Sequence, residues 1–306
     1  MELKTFKSDF ILLVVASIWG LAFVAQRMGM DYVGPFTFNG IRFALGGLSL
    51  LPFIAAGRKK RKINKTQSSV PVFNEVLKGG IFSGTVLFAG ASLQQVGMVY
   101  TTAGKSGFIT GLYVVIVPII GLFRKQKAGF GTWTGALMGV AGLYLLSVTR
   151  DMTISFGDFL EFAGAFCFAF HVIIIGELSK RIDTVRLAFV QCFLCSTLSL
   201  ITAFAFETIT LNGIWLAAIP LIYGGVFSVG IAYSLQIYGQ KNSHPAHAAI
   251  LMSLESVIAA LGGWLILNEV LSSRALTGCV LMMAGMLVSQ LYSYIIPGSK
   301  KKEIKE

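Results

Sequence analysis

Seven residues in an otherwise apolar chain have side chains that could do chemistry: Trp19, Arg42, Gln94, Tyr113, His171, Gln236 and Glu255. Each lies in a run long enough to cross a bilayer. A charged side chain at mid-depth there costs about 2.5 kcal/mol or more, and such residues mark a solute pathway, a proton relay or a buried partner. Glu255 falls near the middle of its run. It is either a proton-carrying or cation-binding carboxylate facing water, or a neutral acid hydrogen-bonded to the next helix. Arg42 lies about two turns into its run and either binds an anionic group or carries its charge back toward the interface along an apolar stem. A direct Arg42–Glu255 pair would make both structural. His171 is either a relay or a hydrogen-bonded packing residue, and Trp19, with Phe168, is either an aromatic gate or packing. Glu161 and Glu269 lie near the ends of their runs, where they are expected to be exposed or paired with local basic groups.

No phosphate loop, His-x-x-x-His metal pair or Ser/His/Asp grouping is present, so neither a cofactor nor a metal is expected. The chain does not read as an enzyme. The enzymatic alternative is an intramembrane acid–base pair, Glu255 and His171, acting on a lipid-linked substrate. Cys167, Cys192, Cys195 and Cys279 all sit in apolar runs and read as small packing residues, despite the Cys192-x-x-Cys195 spacing.

The elements that must position these residues follow from hydropathy. In 306 residues, 55% are hydrophobic and 13% charged, which excludes an ordinary soluble domain, and mean hydropathy is +0.75. Crossing about 30 Å of hydrocarbon takes roughly 20 helical residues. Ten runs qualify, near residues 10–27, 36–57, 77–100, 105–123, 130–148, 157–179, 186–206, 213–238, 246–268 and 274–296. The net charge of +11 does not indicate nucleic acid, because most of the basic residues gather on alternate connections. Arg58–Lys62, Arg124–Lys125 and Lys300–Lys302 all fall on the side of Lys4 and Lys7. The positive-inside rule then sets both termini in the cytoplasm of a multi-pass plasma-membrane protein. Arg58 to Asn74 reads as a flexible cytoplasmic loop that can also touch anionic lipid, and residues 297–306 as a disordered basic tail.

The runs repeat. Ser92-Leu93-Gln94 and Gly97 recur as Ser234-Leu235-Gln236 and Gly239, an offset of 142 residues that also matches Tyr113 to Glu255 and Lys105 to His247. Gly135 and Gly142 match Gly278 and Gly285. Residues 9–148 and 157–296 thus form two units of five crossings. An odd number of crossings inserts the second copy upside down, the arrangement that lets a secondary transporter alternate its access around a fixed central cavity. Glycines one turn apart, such as Gly80 and Gly84 or Gly107 and Gly111, allow close helix approach, whether for sliding or for static packing.

The chain resembles the drug/metabolite transporter superfamily, in particular its ten-helix EamA-type members. The resemblance rests on Trp19-Gly20 with Phe23, Arg42-Phe43, Pro118, Asn268-Glu269-Val270-Leu271, and Gly278 with Gly285, and it extends over roughly residues 9–295. It implies an all-α basket around a cavity formed by spans one, three, four, six, eight and nine, with spans five and ten apart and linked to dimerisation, so that a homodimer is among the expected partners. It further implies export of small metabolites, amino-acid-like compounds or drugs, and Glu255 is the favoured coupling carboxylate. A proline commonly follows the Glu255 position in such proteins; here Ser256 stands there, which puts a helix break at that point in question.

Overall fold

In lipid every backbone N–H and C=O must be satisfied within its own segment, so long apolar runs fold as helices. The computed structural model describes residues 2–63, 73–123, 130–147, 154–240 and 245–295. They form α1 (Glu2–Gly29), α2 (Pro35–Ile63), α3 (Phe73–Tyr100), α4 (Ala103–Gly111), α5 (Tyr113–Phe123), α6 (Phe130–Ser147), α7 (Phe156–Leu178), α8 (Thr184–Phe206), α9 (Leu211–Leu216) and α10 (Ala218–Ile222). A π-helical segment (Tyr223–Ala232) then leads into α11 (Tyr233–Gln240), α12 (Pro245–Leu267) and α13 (Ser273–Ile295). Local chemistry starts several of them. Thr102, Asp183 and Thr210 accept from the amides of Lys105, Arg186 and Gly213, and Pro35 opens α2, where its missing N–H costs nothing.

Among the described residues, seven stretches are long and apolar enough to cross a membrane: Lys7–Gly29, Pro35–Ala55, Asn74–Tyr100, Ala103–Gly121, Phe156–Leu178, Thr184–Phe206 and Ala218–Gln240. Three shorter apolar helices, Trp133–Leu146, Leu254–Leu267 and Ser273–Val288, occupy the places expected for the fifth, ninth and tenth crossings. The apolar side chains on the outside of the bundle fit lipid. Phe204, Leu211, Trp215 and Val270, for example, are each at least three-quarters exposed.

Helices from the two halves of the chain interleave. α8 packs against α2 and α3, α12 against α1 and α4, and α13 against α6. The last pair crosses through glycine. A Cβ on Gly142 would meet the Gly278 carbonyl, and one on Gly285 would meet the Gly135 carbonyl, so the glycines let the two backbones approach closely. Polar glue is sparse but specific: Asn39 Nδ2 donates to the Ala91 carbonyl at 2.9 Å, and Ser196 Oγ to the Gly40 carbonyl at 2.8 Å.

Three expectations change. The basic run Arg58–Lys62 is helical rather than a loop, because Lys and Arg extend an established helix easily; residues 64–72 of that connection lie outside the described residues, as does the tail from 296. The expected fourth span divides at Leu112 into α4 and α5. Pro118, inside α5, has no N–H for the carbonyl one turn earlier, and its ring crowds that carbonyl. The expected eighth span is not one α-helix. It breaks at Ala217, just before Pro220 in the first turn of α10, and is π-wound through Gly224, Gly225 and Gly230, which favour the α conformation weakly. In contrast, α12 runs unbroken through Ser256, whose hydroxyl donates to the Gly107 carbonyl at 2.7 Å.

Candidate functional site: a polar cavity between the helices

All seven residues singled out above line one cavity. They arrive from different elements: Trp19 from α1, Arg42 from α2, Gln94 from α3, Tyr113 from α5, His171 from α7, Gln236 from α11 and Glu255 from α12. Water centres have about 50 Å³ there, room for roughly three to five molecules at 10–15 Å³ each.

Arg42 is 4% exposed and so does not carry its charge out to the interface. Its guanidinium lies 5.6 and 5.1 Å from the Phe38 and Phe43 ring centroids, and its Nε has no hydrogen-bond partner. Cation–π contact of this kind offsets part of the desolvation cost and leaves donors over for a ligand. Glu255, 3% exposed, faces the Tyr113 phenol, which lies close to the carboxylate without an aligned hydrogen bond. No ion pair joins Arg42 to Glu255 among the described residues. One cavity therefore carries a buried cation and a buried carboxylate that do not neutralise each other by contact.

The matched carboxamides differ in bonding. Gln94 Nε2 donates to Thr110 Oγ1 at 3.1 Å, while Gln236 Oε1 is buried with no partner. Gln95 turns away and reaches the Gln26 carbonyl at 3.4 Å, as its position about 100° around the helix requires. His171 shares a hydrogen bond with Gln191 Oε1 at 3.1 Å and sets its ring edge-on to Tyr233, 6.0 Å between centroids. Trp19 and Phe168 both line the cavity.

α1 is stitched to the π-helical segment from both sides. Trp19 Nε1 donates to the Ser228 carbonyl at 3.0 Å, and the Tyr223 hydroxyl donates to the Ile18 carbonyl at 3.1 Å. π-winding is frequent at functional positions, and here it brings Ser228 to the cavity wall. Tyr233, just after it, is the aromatic hub: its ring lies 5.0 Å from Trp19 and 6.2 Å from Phe43.

Two carboxylates depart from expectation. Glu161 is not at an interface but fully buried, accepting from Thr110 Oγ1 at 3.1 Å, because its face of α7 turns inward onto α3 and α4. Glu269 does not pair with Arg274, whose guanidinium stacks on Tyr144 at 5.5 Å. Instead Asn268 takes a left-handed backbone (φ 55°), which turns the chain so that Glu269 accepts from the Ala103 and Gly104 amides at 2.7 and 3.0 Å. Glu207 does the same for α2, accepting from the Phe36 and Thr37 amides and the Thr37 hydroxyl, each at 2.7 Å. Both helix N-termini thus meet a carboxylate from the other half of the chain. At the same rim Asp158 binds Lys105 Nζ and accepts from Thr101 Oγ1 at 2.7 Å.

Sequence reading missed Tyr233, Ser228, Thr110 and Gln26 in the cavity wall. Thr110 carries a usable signal, one helical turn before Tyr113 at the cavity end of a crossing. Tyr233 carries none, since one aromatic among many gives no periodicity.

The model of the EamA-like transporter family matches residues 6–148 and again 155–290. An uncharacterized transporter of Archaeoglobus fulgidus is 32% identical over 290 residues, covering 94% of this chain and 87% of its own length. The uncharacterized transporter YoaV of Bacillus subtilis is 21% identical over 90% of this chain and 94% of its own, and the uncharacterized inner membrane transporter YedA of Escherichia coli K12 is 23% identical over 92% and 89%. A solved structure described only as the crystal structure of a protein superposes with a TM-score of 0.68 at 20% identity, covering 94% of this chain and 99% of that one, which establishes likeness of fold. This multi-pass membrane protein belongs to the EamA-like transporter family.

Proposed function

We propose that the chain is a secondary transporter that exports small metabolites bearing both an acidic and a basic group, amino-acid-like compounds among them, by alternating access. The reading takes ten crossings, as inverted units at residues 9–148 and 157–296, with both termini cytoplasmic and the protein in the plasma membrane. Arg42 binds the solute's anionic end. Glu255, with Tyr113 beside it, binds the basic end and carries the coupling proton. Gln94, Gln236 and His171 orient the solute, and Trp19 closes over it. The observation that carries this reading is the cavity's separated basic and acidic groups, Arg42 and Glu255, contributed from opposite halves of the chain with no ion pair between them among the described residues. Room for a few waters is too little for a metabolite, so loading requires the helices around it to part.

Thermal unfolding of the purified protein against a panel of anionic, cationic, zwitterionic and neutral metabolites, at two pH values, tests it. A ligand at a hundred times its Kd adds about 2.7 kcal/mol. Zwitterions are expected to raise the unfolding midpoint, by an amount that changes with pH. Glu255→Gln and Arg42→Met should each abolish the effect while the protein stays folded. Stabilisation by singly charged compounds alone, or a zwitterion shift that survives both substitutions, refutes the assignment.

A further inference from the structure

Glu161 has no part in the site as assigned. It is 0% exposed on α7, its Oε2 accepts from Thr110 Oγ1 at 3.1 Å, and its Oε1 has no aligned partner. Ser106 Oγ, buried beside it on α4, lies close to the carboxylate without an aligned hydrogen bond. The Thr110 hydroxyl is itself in the cavity wall and receives Gln94 Nε2 at 3.1 Å. With Gln94 donating into its lone pair, the hydroxyl's own proton points at Glu161. On the other side, one turn away on α7, stands Asp158, 1% exposed, bound to Lys105 Nζ and Thr101 Oγ1. Lys105 is the first group of the series to reach solvent, its side chain 21% exposed. The elements packed on Glu161 bring few other charges. α3 offers the bare backbone of Gly97, α4 offers Lys105 with Ser106 and Thr110, and α5, α7 and α12 contribute Tyr113, His171 and Glu255 from the cavity.

We propose that Glu161 is a second proton-carrying carboxylate, connecting the cavity through Thr110 to the rim at Asp158 and Lys105. The inference rests on the transporter reading but not on Glu255. In the first step a protonated water at the rim gives its proton, by way of the Asp158 carboxylate, to Glu161; the water becomes neutral and the Glu161 carboxylate becomes the acid. In the second step Glu161 gives that proton to Thr110 Oγ1 as the hydroxyl's own proton passes to a cavity water, which restores the threonine hydroxyl and the Glu161 carboxylate. A carboxyl that merely braces α7 against α4 keeps one protonation state throughout.

Infrared difference spectra of the full-length protein in liposomes, recorded after a pH jump with no solute added, separate these roles. Two carboxylic C=O components are expected in the wild type, one lost in Glu161→Gln and the other in Glu255→Gln. Thr110→Val should shift the Glu161 component and Thr110→Ser restore it, while Asp158→Asn should slow its appearance about a hundredfold, the scale of a lost proton-transfer group. A Glu161→Gln spectrum identical to wild type overturns the proposal and leaves Glu255 standing; loss of the Glu161 component alone, with Glu255→Gln silent, removes Glu255 from coupling and keeps the relay. An unmoved band in Thr110→Val refutes the link to the cavity. Should Glu161→Gln fail to fold, Glu161→Asp, one methylene shorter, must move the band, and an unmoved band counts against the assignment.

Discussion

Glu207 is the most direct place to test the geometry. Its carboxylate takes three hydrogen bonds at 2.7 Å at the start of α2, from the Phe36 and Thr37 amides and the Thr37 hydroxyl. Removing an N-cap acceptor costs about 0.5–2 kcal/mol, and a negative charge near a helix N-terminus adds about 0.3–1 kcal/mol. The donors here are shared with a half-buried carboxylate, so water recovers part of the loss. Glu207→Ala should therefore destabilise by about 2 kcal/mol. Glu207→Gln keeps one acceptor oxygen but neither the charge nor the second oxygen, and should lose about half of that. Thr37→Ala removes one of the three donors and should cost about 1 kcal/mol alone but little more in the Glu207→Ala background, because the two share one interaction. Thermal unfolding in detergent measures all four variants. Equal midpoints for Glu207→Ala and wild type, or additive effects of Glu207→Ala and Thr37→Ala, would show that the carboxylate does not hold this helix end.

Trp19→Phe removes the donor to the Ser228 carbonyl while keeping an aromatic ring, and should cost about 1 kcal/mol by thermal unfolding. Gly142→Ala places a methyl against the Gly278 carbonyl and the Met282 backbone, neither of which can yield, and should cost about 1–3 kcal/mol, read as an earlier unfolding midpoint and a reduced folded fraction in size-exclusion chromatography. Arg42→Met should do the opposite, raising stability by about 1–4 kcal/mol because a buried, unpaired charge is exchanged for an apolar side chain, while it abolishes zwitterion-induced stabilisation. An unchanged or lower midpoint in Arg42→Met would mean that its contacts with Phe38 and Phe43 outweigh its desolvation.

The cavity residues were legible because polar groups inside apolar runs are few and each needs a reason. Trp19, Arg42, Gln94, Tyr113, His171, Gln236 and Glu255 were found by type and depth, and they share one wall. Depth along a helix says nothing about which side the residue faces, and that is how Glu161 was misjudged. One turn in from its helix end it points at α3 and α4 rather than at the rim. Glu269 was misread for a related reason, since its role depends on one left-handed residue, Asn268, that hydropathy does not register. The break at Leu112 and the π-winding of Tyr223–Ala232 were invisible because both lie in segments apolar on all sides, where there is no amphipathic period to disturb.

The carboxylates of Glu207 and Glu269 each follow a helix of the second half and hold the start of a helix in the first. In the two-unit arrangement proposed, the mirror-image fastening on the opposite rim would need acids in the last turns of α2 and just after α5. There the chain carries Arg58, Lys59 and Lys60, and Arg124 and Lys125, the very charges from which the proposed orientation in the bilayer is argued. The demand for membrane orientation and the demand for a symmetric closure compete at the same positions. On the proposed mechanism, a machine assembled from two copies of one part would therefore rock between ends with different locks, and its two open forms need not be equally populated at rest.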